Sequence, residues 1–321
     1  MDKATSASPS DKRLFISVCI CTYNRAKSLS AALQSLTAME REEDLTWEVL
    51  LVDNNSSDNT RSVADSFSNK LPLRYVFEPK QGLSHARNRA ITECRSDILL
   101  FTDDDVVVEP AWLKKYVAAA QRFPGADYFG GRVLPHWQDG RPPWLRDEPM
   151  PLLSGLFIWY DLGQDTRQYV HTELLPYGAS FAIRRRLFER LEPFRMDLGV
   201  SGNTPGRGEE AEYLSRARAG GSEGIYVGTA VCHHWVDLER LKLSYMYRFG
   251  IQKGIEQVII AGRTYSGNTY LSELKYGLRG LFQLLKGRGD RFRQCVINMG
   301  IQNGLRQTRK RYLNTLNVNS Q

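Results

Sequence analysis

Three observations predict an α/β protein with a mostly parallel sheet flanked by helices. Near-continuous apolar runs recur through the first third of the chain, as strands covered on both faces require. Stretches with helical spacing separate them, which is the pattern of βαβ units. Several runs end in polar or acidic residues, and open sheets of this kind bind ligands beyond the carboxyl ends of their strands. At 321 residues, 42% hydrophobic and 25% charged, the chain suits one elaborated domain with an extension.

Phe15 to Cys21 forms the first strand, and the polar loop Thr22-Tyr23-Asn24-Arg25 follows. Ser28 is placed to cap a helix carrying Leu29, Ala32, Leu33 and Leu36 on one face. Trp47 to Asp53 is the second strand, ending in an acid. Asn54 to Asp58 is turn chemistry, with Asp58 capping the next helix. Leu73 to Phe77 is the third strand, and Gly82-Leu83-Ser84 opens a helix that holds Arg87.

Ile98 to Phe101 is a short buried strand that runs into Asp103-Asp104-Asp105. Three adjacent carboxylates at the mouth of a packed sheet repel one another unless a cation neutralises them. That favours a Mg²⁺ or Mn²⁺ site handling phosphate oxygens; a solvated acidic turn is the plainer alternative. Thr22, Tyr23, Asp53 and the three Asp all fall at strand ends, so residues distant in sequence converge on one sheet edge.

Four motifs now stand in order: Val18 to Arg25, Val52 to Asp58, Gly82 to Asn88, and Asp103-Asp104-Asp105. Together they resemble glycosyltransferase family 2, over about residues 14 to 255. The resemblance implies the GT-A fold, a nucleoside-diphosphate sugar donor, UDP-linked by expectation, and inverting transfer. It implies that Asp53 hydrogen-bonds the nucleotide base, with Thr22, Tyr23 and Arg25 in the same pocket and Arg87 near it. Asp103 and Asp104 would lie toward the ribose and metal, and Asp105 would be a metal ligand through the donor diphosphate. Read from the residues alone, Asp53 is a good acceptor or a turn cap, and Arg87 a site cation or a surface charge.

Residues 110 to 123 are expected to be an amphipathic helix, and Asp127 to Val133 a strand. From Leu134 to Leu175 the periodicity dissolves among prolines and Trp137, Trp144 and Trp159. These rings could stack on sugar or pack the loop against the sheet. Pro176 to Arg185 reads as a small-residue strand; by resemblance it lies on the acceptor side, where Gly178 admits the donor sugar. Leu198 to Gly208 is glycine-rich and expected to be flexible. A helix then begins with Glu209-Glu210. Acids in a first helical turn complement the dipole. The family places a Glu-Asp pair here whose second member is the general base. That role falls on Glu210, with Glu209 its neighbour and one methylene more reach than Asp.

Val231 to Trp235 brings His233 and His234, either of which can complete a metal shell. Strand alternation points them apart, and His233 is favoured. Leu238 to Ile260 is expected to be helical.

Net charge is +7, unevenly spread. Residues 263 to 321 hold 11 Lys/Arg against Glu273 and Asp290, a net +9, so the first 262 residues carry −2. In this extension Leu271, Leu274, Leu278, Leu281, Phe282 and Leu285 share one helical face, which either packs on the body or meets an anionic membrane. The expected division is a disordered polar N-terminus (1–13), a catalytic domain (14–262) and a basic amphipathic helical extension (263–321). No signal peptide and no run of about 18 apolar residues is present. The five scattered Cys suit a reducing cytosol. The expected setting is cytoplasmic, peripheral at the inner face of the cell membrane, with a glycan or lipid-linked acceptor and no nucleic acid. A nucleotidyltransferase is a rival, but it would place a Gly-rich loop after the first strand, where this chain has Thr22 to Arg25. A non-catalytic binding protein is the other rival, and the intact carboxylates oppose it.

Overall fold

The computed structural model describes residues 14–40, 45–147, 150–170, 173–200, 208–261 and 268–318. The expectations for residues 1–13 and for most of the glycine-rich stretch before Gly208 lie outside them.

The first half alternates strand and helix as the periodicity requires. β1 (Phe15–Thr22) leads to α1 (Ala26–Thr37), β2 (Thr46–Asp53) to α2 (Thr60–Phe67), and β3 (Leu73–Phe77) to α3 (Leu83–Glu93). β4 (Ile98–Asp103), β5 (Val106–Val108), α4 (Trp112–Arg122) and β6 (Tyr128–Trp137) follow. The region read as structureless is in fact organised. β6 extends four residues past the expected end, and α5 (Pro151–Phe157) and β7 (Thr166–Gln168) occupy the proline-rich stretch. Pro151 suits a first helical turn because it gives up an N–H that has no partner there. β8 (Ser180–Arg184), α6 (Arg185–Phe188), α7 (Glu209–Ala219) and β9 (Gly224–Val236) complete the body. After a 3-10 turn at Leu238–Leu241 come α8 (Leu243–Ala261), α9 (Thr269–Leu285) and α10 (Gly289–Val318).

The nine strands of the described residues form one sheet in the order β3-β2-β1-β4-β8-β6-β9-β5, with β7 beside β9. β1 pairs in parallel with β2 and β4, and β2 with β3. β8 runs antiparallel to β4 and to β6, so beyond β4 the sheet is mixed. Alternate side chains of each central strand feed two cores, one per face. Ile16, Val18, Val49, Leu51, Ile98 and Leu100 pack with α1, α2 and α4. Cys19, Leu50, Val52, Leu99 and Phe101 pack with α3 and α7. This period-two division is why the strands read as unbroken apolar runs.

A third core joins α5, α8 and α10 around Leu153, Phe157, Met246, Phe249, Ile297 and Ile301. Trp137, Trp144 and Trp159 pack against it, and Trp137 meets Phe157 edge-on at 5.1 Å. All three rings therefore pack on this helical core, and each stays partly exposed. α8 and α10 cross with their backbones touching: a Cβ on Gly250 would lie 2.1 Å from Ile297 O, and one on Gly300 2.1 Å from Tyr247 O.

Two cap expectations are corrected. The first helix begins at Ala26, ahead of Ser28, whose hydroxyl donates to Arg25 O at 3.2 Å. Asp58 is not the N-cap of α2, which is Asn59. Its carboxylate instead accepts from Thr60 N and from Ala26 N, both at 3.0 Å, and so fastens the starts of two helices together.

Candidate active site at the carboxyl edge of the sheet

Register brings the strand ends together. Thr22 lies beside Asp53, and Cys21 beside Asp103. Past β4 the chain turns through Asp104 and Asp105 into β5, which is paired with β9 so that Val106 faces His234. Trp235 N donates to Asp105 O at 3.0 Å, which ties β9 to the acidic turn.

The three Asp are held differently. Asp104 is buried, and its Oδ2 accepts from Thr22 Oγ1 at 2.7 Å. Burial, reinforced by the charge of Asp105, raises its pKa to about 7. Asp103 is also pushed up by burial, with Arg87 opposing the shift. Burial acts upward on Asp105 too, but His234 and Arg25 beside it outweigh this and hold it well below the ordinary carboxylate range. Arg25 bridges Asp104 at 3.4 Å and Asp105 at shorter range, so its guanidinium offsets part of the charge of the acidic turn.

Asp103, Asp105 and His234 each offer a ligand atom, all within 4.8 Å of one another. His234 is buried with Nε2 3.2 Å from Asp105 Oδ1, and its Nδ1 has no partner among the described residues. Two carboxylates and an imidazole suit Mn²⁺, and Mg²⁺ less closely, so the donor set fits a divalent ion. The leaning toward His233 is corrected. β9 alternation turns it away from the cluster, and its Nε2 meets Glu109 at 3.1 Å.

Asp53 is buried at the end of β2, with Oδ1 accepting from Ser56 N at 2.9 Å and Oδ2 from Tyr75 Oη at 2.7 Å. Each oxygen keeps acceptor capacity. Tyr23 is half-buried on the same edge. Two asparagines, Asn24 of the first polar loop and Asn54 of the turn after β2, tie the loops together. Asn24, in the left-handed region at φ 52°, accepts from Ser57 N at 2.7 Å. Asn54 accepts from Gly82 N at 2.7 Å and donates to Lys80 O at 2.6 Å.

Arg87 is the cation between the acid pair of α7 and the acidic turn. It is 3% exposed, lies among the rings of Phe101, Phe181 and Phe194, and meets Glu209 at 2.6 Å, Glu210 at 3.6 Å and Asp103 at 3.8 Å. It therefore binds the acid pair to the acidic turn, which it reaches through Asp103. Its neighbours on α3 do similar work: Ser84 Oγ donates to Leu198 O at 2.9 Å, and Asn88 spans Phe194 N and O at 2.8 Å each. Gly178 leaves room for this arrangement, since a Cβ there would lie 2.4 Å from Arg87 Nη2.

The two glutamates at the start of α7 separate in role. Gly208, at φ 89°, turns the chain into the helix in a conformation that other residues resist. Glu209 is 2% exposed and committed to Arg87; burial, with the charge of Glu210, raises its pKa to about 7. One guanidinium facing three carboxylates leaves a proton for the most buried of them. Glu210 keeps 18% of its side chain exposed, and its Oε1 accepts from Gly178 N at 3.3 Å.

This geometry agrees with the comparisons to known proteins. Glycosyl transferase family 2 matches residues 17–192, more than half of the chain. The succinoglycan biosynthesis protein ExoM of Rhizobium meliloti is 28% identical over 76% of this chain and 74% of its own. A glucosyl-dolichyl phosphate glucuronosyltransferase of Haloferax volcanii is 25% identical over 81% and 82%. The structure of mannosyltransferase PcManGT from Pyrobaculum calidifontis, in complex with GDP-Man and Mn²⁺, superposes with a TM-score of 0.56 at 20% identity. It covers 82% of this chain and 68% of that one, which shows the shared fold. With this edge of carboxylates on a GT-A sheet, the chain is a glycosyltransferase and belongs to glycosyltransferase family 2.

Proposed function

We propose that the protein transfers a sugar, with inversion, from a nucleoside-diphosphate sugar to a hydroxyl of a glycan or lipid-linked glycan. The observation that carries this reading is the division of labour at the start of α7. Glu209 is buried against Arg87, while Glu210 keeps an exposed edge beside Gly178. Glu210 takes the acceptor proton as the acceptor oxygen attacks the anomeric carbon. The bond to the diphosphate oxygen breaks, and the nucleoside diphosphate leaves with that electron pair.

Asp103, Asp105 and His234 would hold Mn²⁺ or Mg²⁺, which when bound offsets the charge of the departing diphosphate. Thr22 and Arg25 support the same turn from the first loop. Asp53 is an acceptor, so it selects a base with a ring N–H, a property of uracil and guanine; UDP is our reading. The names of ExoM and the Haloferax enzyme, one in polysaccharide synthesis and one acting on a dolichyl phosphate, support a glycan or lipid-linked acceptor. We place the chain in the cytoplasm, peripheral at the inner face of the membrane. No described helix is long and apolar enough to cross a membrane.

Glu210→Gln preserves shape and removes the base, so turnover should fall about 10²–10⁴-fold. The thermal shift given by UDP with Mn²⁺ should be unchanged and should exceed that given by GDP. Retained turnover in this variant would move the role to another group.

A further inference from the structure

The extension holds a helix built inside out. The inward side of α9 carries Thr269, Gly280 and Gln283, all buried, and Glu273, which accepts from Tyr247 Oη at 3.1 Å and pairs with Arg306. The outward side carries Leu271, Leu274, Leu278, Leu281, Phe282 and Leu285, each more than half exposed. Eight of the sixteen exposed large hydrophobic side chains among the described residues lie on this one helix. At about 100° per residue, the six named side chains span an arc of roughly 100°. Lys275, Arg279 and Lys286 all fall on one flank of that arc and are exposed. The described acids of α9 and α10 are Glu273 and Asp290, and both are held in ion pairs inside the chain, with Arg306 and Arg146.

We propose that this face of α9 is a docking surface for an anionic lipid bilayer. The leucines would sink into the headgroup–acyl boundary, and Lys275, Arg279 and Lys286 would meet lipid phosphates along one edge of the helix. Charge selects this occupant over a second copy of the chain. The same face of another copy offers cations and no free described acid, and an antiparallel two-fold pair would set the cationic flanks side by side. An apolar face this large needs a partner, and a cationic flank with no unpaired acid among the described residues of α9 and α10 needs an anionic one. The inference rests on the proposed membrane placement only for which membrane is met; the surface itself is independent of donor and acceptor.

The test uses the full chain without nucleotide, sedimented with vesicles of phosphatidylglycerol and phosphatidylcholine or of phosphatidylcholine alone. The parent should bind the anionic vesicles and release them in about 0.5 M salt, where the screening length is only a few ångströms. Lys275→Gln/Arg279→Gln/Lys286→Gln should lower partition about a hundredfold. Leu274→Gln/Leu278→Gln/Leu281→Gln should lower it by at least about tenfold. Circular dichroism of both variants should match the parent, because every substituted side chain is exposed. Parent and leucine variant sedimenting alike, or no binding by the parent, overturns the proposal. A parent dimer that the leucine substitutions dissolve overturns it in favour of a second copy. The UDP–Mn²⁺ thermal shift, measured without vesicles, reports separately on the transferase reading, so each can fail alone.

Discussion

Two helices of this protein, α3 and α9, both turn polar side chains inward, α3 beside its own apolar Ala86 and Ala90. α3 buries Ser84 and Arg87, and α9 buries Thr269 and Gln283 while its leucines stay outside. The difference lies in what each arrangement leaves to be satisfied. Every contact of Arg87 is inside the chain: three carboxylates, three rings and the notch at Gly178. A buried charge is tolerable only with such partners, so the polar residues that α3 turns inward serve the chain's own site. The exposed leucines of α9 gain nothing from the chain that carries them. A polar side turned in thus marks internal chemistry, and an apolar side turned out marks an external surface.

The largest expected effect breaks the α3 side of this comparison. Arg87→Met keeps bulk and removes the cation, leaving Asp103, Glu209 and Glu210 to face one another in a buried setting. Urea denaturation should show a loss of about 3–5 kcal/mol. Adding Glu209→Gln should recover part of it, because an amide takes the place of the most buried carboxyl. A loss under about 1 kcal/mol would mean that Arg87 is not the keystone its contacts suggest.

The same cluster sets a pH dependence. The carboxyl of Glu209 has an ordinary value of 4.5 in the unfolded chain and is raised to about 7 by burial in the fold. Between those values the native state keeps a proton that the unfolded state has lost, so stability falls as pH rises through this window. The contribution is on the order of 3 kcal/mol, complete below the lower value and gone above the upper one. Glu209→Gln should flatten that slope in denaturation midpoints taken from pH 4.5 to 7.5. An unchanged slope would assign it elsewhere.

Gly178→Ala tests how firmly Arg87 is held. The new Cβ would lie 2.4 Å from Nη2, the far end of a side chain that would normally swing away. Here two glutamates and three rings oppose the swing, so about 1–3 kcal/mol should be lost. If the variant is as stable as the parent, the guanidinium is mobile and the cluster looser than its distances.

How legible each region was in the sequence follows from the range of its interactions. The parallel core could be read because Phe15–Thr22, Thr46–Asp53 and Ile98–Asp103 bury both faces, and such strands show in any short window. The convergence of Thr22, Asp53 and the three Asp followed from strand ends alone. The choice of His234 over His233 did not, because it depends on which face of β9 lies toward Asp105, and pairing with β5 sets that. The role of Arg87 was hidden for a similar reason: its partner Glu209 stands 122 positions away. Asn24 and Asn54 looked like ordinary turn residues, since turn chemistry is local and their cross-loop bonds are not. On α9 the spacing of the leucines was plain, but spacing fixes only that they share a face. Glu273 and Gly280 decide that this face points outward, through Arg306 and Cys295 on α10.

The smallest expected effect sharpens the α9 side. Leu274→Gln/Leu278→Gln/Leu281→Gln removes three leucines that are each about three-fifths exposed. Glutamine and leucine have similar helix propensities, so the helix itself loses little. No packed core is emptied, and the unfolded chain gains as much hydration as the folded one. Each substitution should therefore change folding stability by no more than about 0.5 kcal/mol in urea denaturation. Ile297→Ala, at a fully buried position of α10 in the same helical unit, supplies the yardstick and should cost about 2–5 kcal/mol. If the three leucine substitutions together cost as much as that one, these side chains are packed in solution and α9 is an ordinary amphipathic helix. If they cost almost nothing, the leucines serve no purpose in the isolated fold.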